Sequence, residues 1–245
     1  MSIEFDNNKN AIINPFGFND KKIPKIAISC YTQRIIDSLV EKYNGQLLGK
    51  VSKTLIYKIE YFGKEYVTFL SPIGAPWATM VLEDLISMGL EKIVYFGTCG
   101  VLDDTNEYEI LIPIKSKREE GTSYHYIKDK KYIEINPKYK EEFVELLKKE
   151  NLKYKICKTW TTDAPYRETK DKVDKYINLG ITTVEMEASA LATIGIYRNI
   201  DVFIFFYAND LLKNGKWDKR CLGDENSKKL YFGEIALKLA ALINI

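Results

Sequence analysis

The chain has 245 residues, 46% of them hydrophobic, with 36 Lys and Arg against 34 Asp and Glu. That length and apolar fraction suffice for a substantial core in one domain spanning residues 1–245. The near-neutral balance of +2, with both signs interspersed, carries no footprint for nucleic acid or an anionic membrane, so small neutral or modestly anionic ligands remain.

No apolar run approaches the ~20 residues needed to span a membrane. The first ten residues, MSIEFDNNKN, are polar and acidic and do not read as a secretory leader. Cys30, Cys99, Cys157 and Cys221 are widely spaced, three of them in or beside apolar strand-like runs. Without a CxxC or Cys/His cluster they read as free thiols, with no metal or organic cofactor and a reducing, cytoplasmic compartment.

In chain order, KIAISC (25–30) predicts a buried strand and RIIDSLVEKY an amphipathic helix. TLIYKIEYFGKEYVTFL (54–70) predicts a hairpin turning at Gly63. A helix over about 76–88 closes at Gly89, and KIVYFG (92–97) is a short strand running into Gly-Thr-Cys-Gly. EYEILIP, SYHYI and KYIEI give further short strands. PKYKEEFVELLKKENL predicts a helix with Pro137 at its N-terminus, YKICKTWTT a strand, and RETKDKVDKYINLG a helix ending at Gly180. The strand TTVEME, the helix ASALATIGIYRN, the strand VFIFFYAND and a final helix, ENSKKLYFGEIALKLAALINI, complete the series. This alternation predicts a three-layer α/β domain around a mixed, largely parallel sheet.

In such sheets ligands bind at the carboxyl ends of strands, which directs attention to residues 30–34, 97–100, 161–167, 184–187 and 209–210. Gly97-Thr98-Cys99-Gly100 is either a plain turn or an anion-holding loop in which glycine admits close backbone approach. Arg34 is either a solvated helix-start residue or a bidentate phosphate partner. In Val184-Glu185-Met186-Glu187 the acids either complement a helix dipole or accept from the two hydroxyls of a ribose, with Met186 as an apolar wall. Asn209-Asp210 is either a polar turn or a carboxylic acid with a raised pKa, held in a partly apolar cleft to donate a proton.

Taken together, these segments resemble the nucleoside phosphorylase family, which includes hexameric purine nucleoside phosphorylases and uridine phosphorylases. VEMEASAL resembles its ribose-binding signature, and YFGTCGVL its Gly-Ser/Thr-x-Gly phosphate loop. GAPWATMVLEDLISMGLEKI is similar to its Gly-x-Pro segment and helix, WTTDAPYRE to its base-side strand end, and FYAND to its strand ending in Ser-Asp. Order and spacing agree from about residue 25 to 210.

The resemblance implies a three-layer α/β/α sandwich whose central sheet is partly barrel-like. It also implies phosphorolysis of a nucleoside to free base and ribose 1-phosphate, with inorganic phosphate as co-substrate. Glu187 would hold the ribose diol, with Met186 against the sugar and Glu185 as second contact or support. Thr98 and the Gly97 backbone would hold phosphate, clamped by Arg34, and Thr98 would also border the ribose. Tyr166, Cys99 and Gly100 would border the base, and Asp210 would protonate it as it leaves. By the same analogy the chain would be a homodimer or a homohexamer built as a trimer of dimers.

Asp210, and the absence of a Gln/Arg pair in Tyr166-Arg167-Glu168-Thr169-Lys170, favour purines, whereas GTSYHY (121–126) is closer to the uridine type. The phosphate half departs from the family pattern. The first-strand turn reads Cys30-Tyr31-Thr32-Gln33-Arg34 without the family's glycine, and Tyr95 stands where a phosphate Arg is expected. No Arg occurs near 45-GQLLGK-50, where Lys50 or Lys53 would have to substitute. The family's N-terminal His is missing, and the one histidine, His125, reads as a strand-face residue. A nucleosidase using water and a catalytically silent nucleoside-binding protein are the rival readings.

Overall fold

The computed structural model describes residues 5–17, 22–128, 130–220 and 228–243. Cys221 and both ends of the predicted last helix lie outside the described residues. Strand β1 (Ile26–Cys30) is buried at every position and pairs in parallel with β4 (Lys64–Leu70) on one side and β5 (Lys92–Val101) on the other. A strand covered on both faces is written as a continuous apolar run, as KIAISC is. β3 (Thr54–Tyr61) and β4 form the expected hairpin, with Gly63 at φ +71° in its turn. An unexpected β2 (Gln46–Val51) extends the sheet beyond β3, and its sequence has no clean alternation to announce it.

The other side of β5 builds a ring. β5 pairs with β9 (Thr183–Glu185), β9 with β8 (Tyr154–Thr162), and β8 with β6 (Ile110–Glu119). β6 then pairs with β10 (Asp201–Lys213), which returns to lie parallel to β5. The sheet is therefore a small barrel with β1, β4, β3 and β2 trailing from it as an open wing. It is mixed rather than largely parallel: β7 (Tyr132–Glu134) and β11 (Lys216–Asp218) join β6 and β10 antiparallel.

Helices cover both faces. α1 (Gln33–Lys42), α3 (Lys140–Lys149) and α6 (Lys228–Leu242) bury Ile35, Leu39, Phe143, Leu147, Ile235 and Leu239 against one face. There Phe96 of β5 and Phe205 of β10 stack with centroids 5.3 Å apart. α2 (Ala75–Ser87) and α5 (Ala188–Arg198) cover the other face with Val81, Leu85, Leu191 and Ile194. α4 (Lys170–Asn178) packs on the buried Trp160 at the barrel. Each fully buried large apolar side chain contributes about 1.5–3 kcal/mol.

Two expectations are corrected. SYHYI is not a strand: Thr122–His125 form a short 3-10 helix. The buried Glu120 carboxylate accepts the Ser123 amide at 2.9 Å and the Ser123 hydroxyl, while Arg118 Nε donates to that hydroxyl at 2.8 Å, so the chain is held in a tight turn. Pro137 does not open α3, which begins at Lys140 after Tyr139 in the left-handed region, φ +63°. Among the described residues no helix is long and apolar enough to cross a membrane.

Candidate active site

The carboxyl ends of β1, β5, β8, β9 and β10 converge on the head of α5. Glu187 occupies the position just before that helix, with only 7% of its surface exposed. Its Oε1 accepts the Gly74 amide at 2.5 Å. Gly74 has φ +97°, a conformation that costs glycine little and turns its N–H across to Glu187. Burial and the neighbouring Glu185 carboxylate push the Glu187 carboxyl up to about 8.

Glu185, also buried, is committed to the protein. Its Oε1 accepts from the Thr161 and Thr159 hydroxyls at 2.6 and 3.1 Å, and its Oε2 from the amides of Ala188 and Glu187 at 2.6 and 2.8 Å. A carboxylate offers about four lone-pair positions, and all four are taken. Of the two roles expected for it, second contact or support, these bonds fit the support: a brace joining β8, β9 and the first turn of α5. Met186, between the two acids, is half-buried.

At the end of β5, Thr98 is exposed while Gly97, Cys99 and Gly100 are buried. The Tyr31 ring, just past β1, covers Gly97: a Cβ there would stand 2.8 Å from Tyr31 Cδ2. Cys99 belongs to the core with Val101 and Leu111, and burial holds its thiol well above the ordinary range, so the side chain packs rather than facing a base. Gly100 leaves room near Asp210, whose Oδ2 would lie 3.7 Å from a Cβ at that position.

Asp210 is half-buried and its Oδ2 accepts the Trp217 Nε1–H at 2.8 Å across the β10–β11 hairpin. Glu168 sits nearby, and burial followed by the Asp210 charge pushes its carboxyl up to about 7. This pairs a proton carrier with Asp210 at the expected base end. Two other expected contacts are not brought in. Arg34 is exposed on the first turn of α1 and does not line the corner beside Gly97. Tyr166 is fully exposed, carried outward on the tight turn Pro165–Arg167.

Sequence reasoning missed Gly74, Glu168 and Trp217 as neighbours of the site, since only the fold joins them to it. Tyr31 and Tyr95 were visible as departures from a family pattern, and that was the available signal. A larger cavity of about 900 Å³ lies off this cleft, between residues 6–17, α2 and the 3-10 helix. His125, expected on a strand, lines that cavity on the exposed helix turn. Among the described residues no group of three or more His, Cys, Asp or Glu is arranged to hold a metal ion.

The chain is 28% identical over 196 residues to an uncharacterized protein of Acanthamoeba polyphaga mimivirus, covering 77% of this chain and 75% of that protein. It is 26% identical over 151 residues to a guanosine phosphorylase of Halorubrum lacusprofundi, covering 60% of this chain and 62% of that protein. It is 24% identical over 187 residues to a DeoD-type purine nucleoside phosphorylase of Clostridium novyi, covering 75% and 79%. The fold matches the crystal structure of Toxoplasma gondii purine nucleoside phosphorylase in complex with immucillin-H, with a TM-score of 0.80 at 15% identity over 96% of this chain and 97% of that one. The model of the phosphorylase superfamily matches residues 25–241, and the chain belongs to that superfamily.

Proposed function

We propose that this protein binds a nucleoside through its ribose and cleaves the N-glycosidic bond, with purine nucleosides preferred. The observation that carries this reading is the buried Glu187 carboxylate at the head of α5, held by one amide through Oε1 and bordered by Thr98 and the braced Glu185. A carboxylate so placed suits a vicinal diol, and its charge favours the oxocarbenium character that the sugar gains as the C1′–N bond loosens.

At the other end, Glu168 and Asp210 form an acid pair suited to protonating a departing purine. A pyrimidine leaving group does not need a ring-nitrogen acid in that place, which supports the purine preference. The purine nucleoside phosphorylases among its relatives point the same way. Apolar side chains exposed along β2, β3 and α2, among them Leu47, Leu55 and Trp77, support self-association as a dimer or larger homo-oligomer.

Chromatography of inosine, adenosine and uridine incubated with the purified chain tests the reading. Hypoxanthine or adenine is expected ahead of uracil. Binding of inosine by calorimetry with every nucleoside recovered intact would instead make the protein a nucleoside-binding module.

A further inference from the structure

The corner that family resemblance assigns to phosphate is unlike an anion site. Its polar lining is Tyr31, Tyr95, Thr98, Glu185 and Glu187, and among the described residues no Lys, Arg or His lines it. The Tyr31 ring lies on Gly97, where backbone would otherwise face a ligand, and its hydroxyl hydrogen-bonds with the Ser71 side chain. The space left is about 10 Å³. That is at the lower limit for one water molecule and far too small for phosphorus with four oxygens. No cation stands beside Glu185 and Glu187 to balance the charge of a phosphate dianion.

One group in this corner points to an occupant. Tyr95 is 1% exposed, and its hydroxyl has no hydrogen-bond partner among the described residues. A buried hydroxyl without a partner is costly, by about 1–3 kcal/mol, and a buried water needs two or more polar partners. Tyr95 and Glu187 line the same small space, and the Glu187 charge is felt at the Tyr95 hydroxyl; a phenol hydroxyl and a carboxylate supply a donor and an acceptor.

We infer that this chamber seats a single water molecule that acts as the acceptor, making the protein a nucleoside hydrolase. The inference rests on the proposed N-glycosidic cleavage and names its second substrate. Glu187 takes a proton from the water as its oxygen bonds to C1′. The C1′–N bond breaks with its electron pair on the base, which takes a proton from the Glu168/Asp210 pair. The products are free base and ribose, and solvent returns the proton from Glu187 to the acid pair. A carboxyl raised to about 8 is a stronger base than an ordinary glutamate, which suits this step.

The test measures base release by the full chain with and without inorganic phosphate, and identifies the sugar product. The expected result is ribose at a rate unchanged by phosphate. Ribose 1-phosphate, or a rate that drops ~10-fold or more when phosphate is removed, would overturn the inference while leaving N-glycosidic cleavage intact. No base release under either condition would overturn both. A variant separates chemistry from folding: Tyr95→Phe keeps the ring and removes only the hydroxyl. It is expected to hold its Tm and KM and to lose on the order of 10-fold in kcat. An unchanged kcat would overturn the seating of the water by Tyr95.

Discussion

Gly74 and Glu187 are joined by a 2.5 Å hydrogen bond between elements 113 residues apart in sequence. The loop before α2 thereby fixes one oxygen of the carboxylate that heads α5. Neither residue reads as a contact of the other in sequence, yet the bond sets the direction of the proposed ribose clamp.

Burying Glu187 has a consequence for stability. Its carboxyl titrates near 8 in the folded chain against 4.5 ordinarily, raised by burial and Glu185, with Asp163 adding to the effect and the Gly74 and Met186 backbone opposing it. Between those values the folded state holds a proton that the unfolded state has lost, so stability falls as pH rises from about 4.5 to 8 and levels off above. The full effect is on the order of 5 kcal/mol. Denaturant unfolding of wild type and Glu187→Gln across this range is expected to show the decline in wild type and its removal in the variant.

Glu168 gives the pH profile its second limb. In the proposed cleavage it would act as an acid only while protonated, and burial, followed by the Asp210 charge and opposed by Lys172, raises its carboxyl to about 7. Rates of base release are expected to climb toward pH 8 as Glu187 ionises and to be drawn down above about 7 as Glu168 does, giving a maximum between the two. Glu168→Gln should abolish the alkaline decline and lower the plateau. A variant profile superimposable on wild type would remove Glu168 from the mechanism.

Glu185 is expected to matter for the fold first. In Glu185→Gln an NH₂ group or a misdirected oxygen must face the Ala188 and Glu187 amides or the two threonine hydroxyls that now all donate. The cost is about 1–3 kcal/mol, readable as a lowered Tm with activity lost in proportion to the loosened head of α5. A variant as stable as wild type would show that the brace is dispensable.

Trp217→Phe removes the 2.8 Å donor to Asp210 while keeping an aromatic ring on the exposed hairpin. Losing one charge-assisted bond of about 1 kcal/mol or more predicts a several-fold fall in kcat with little change in Tm. Equal kcat values would mean that Asp210 is oriented without it.

The alternation of apolar runs made the layered α/β architecture legible, because strands buried on both faces and amphipathic helices write different periods. The ring closure was not legible locally. It depends on β10 pairing along most of its length with β5 and, at Phe206 and Tyr207, with β6 as well, which short-range pattern does not encode. Within the site, the acid-Met-acid triplet announced itself, but the division of labour between Glu185 and Glu187 did not. Thr159 and Thr161 reach Glu185 from β8, and Gly74 reaches Glu187 from the loop before α2. Arg34 and Tyr166 matched a pattern by position, whereas helix exposure and a tight turn decide where those side chains go.

The central claim is that Glu187 contacts the substrate sugar on a scaffold that does not need it for folding. The direct measurement is kcat/KM of Glu187→Gln against wild type on the preferred purine nucleoside, with far-UV circular dichroism and Tm taken on the same samples. A loss of at least ~10²-fold with an intact fold is the predicted result. A near-normal kcat/KM in the folded variant would contradict it.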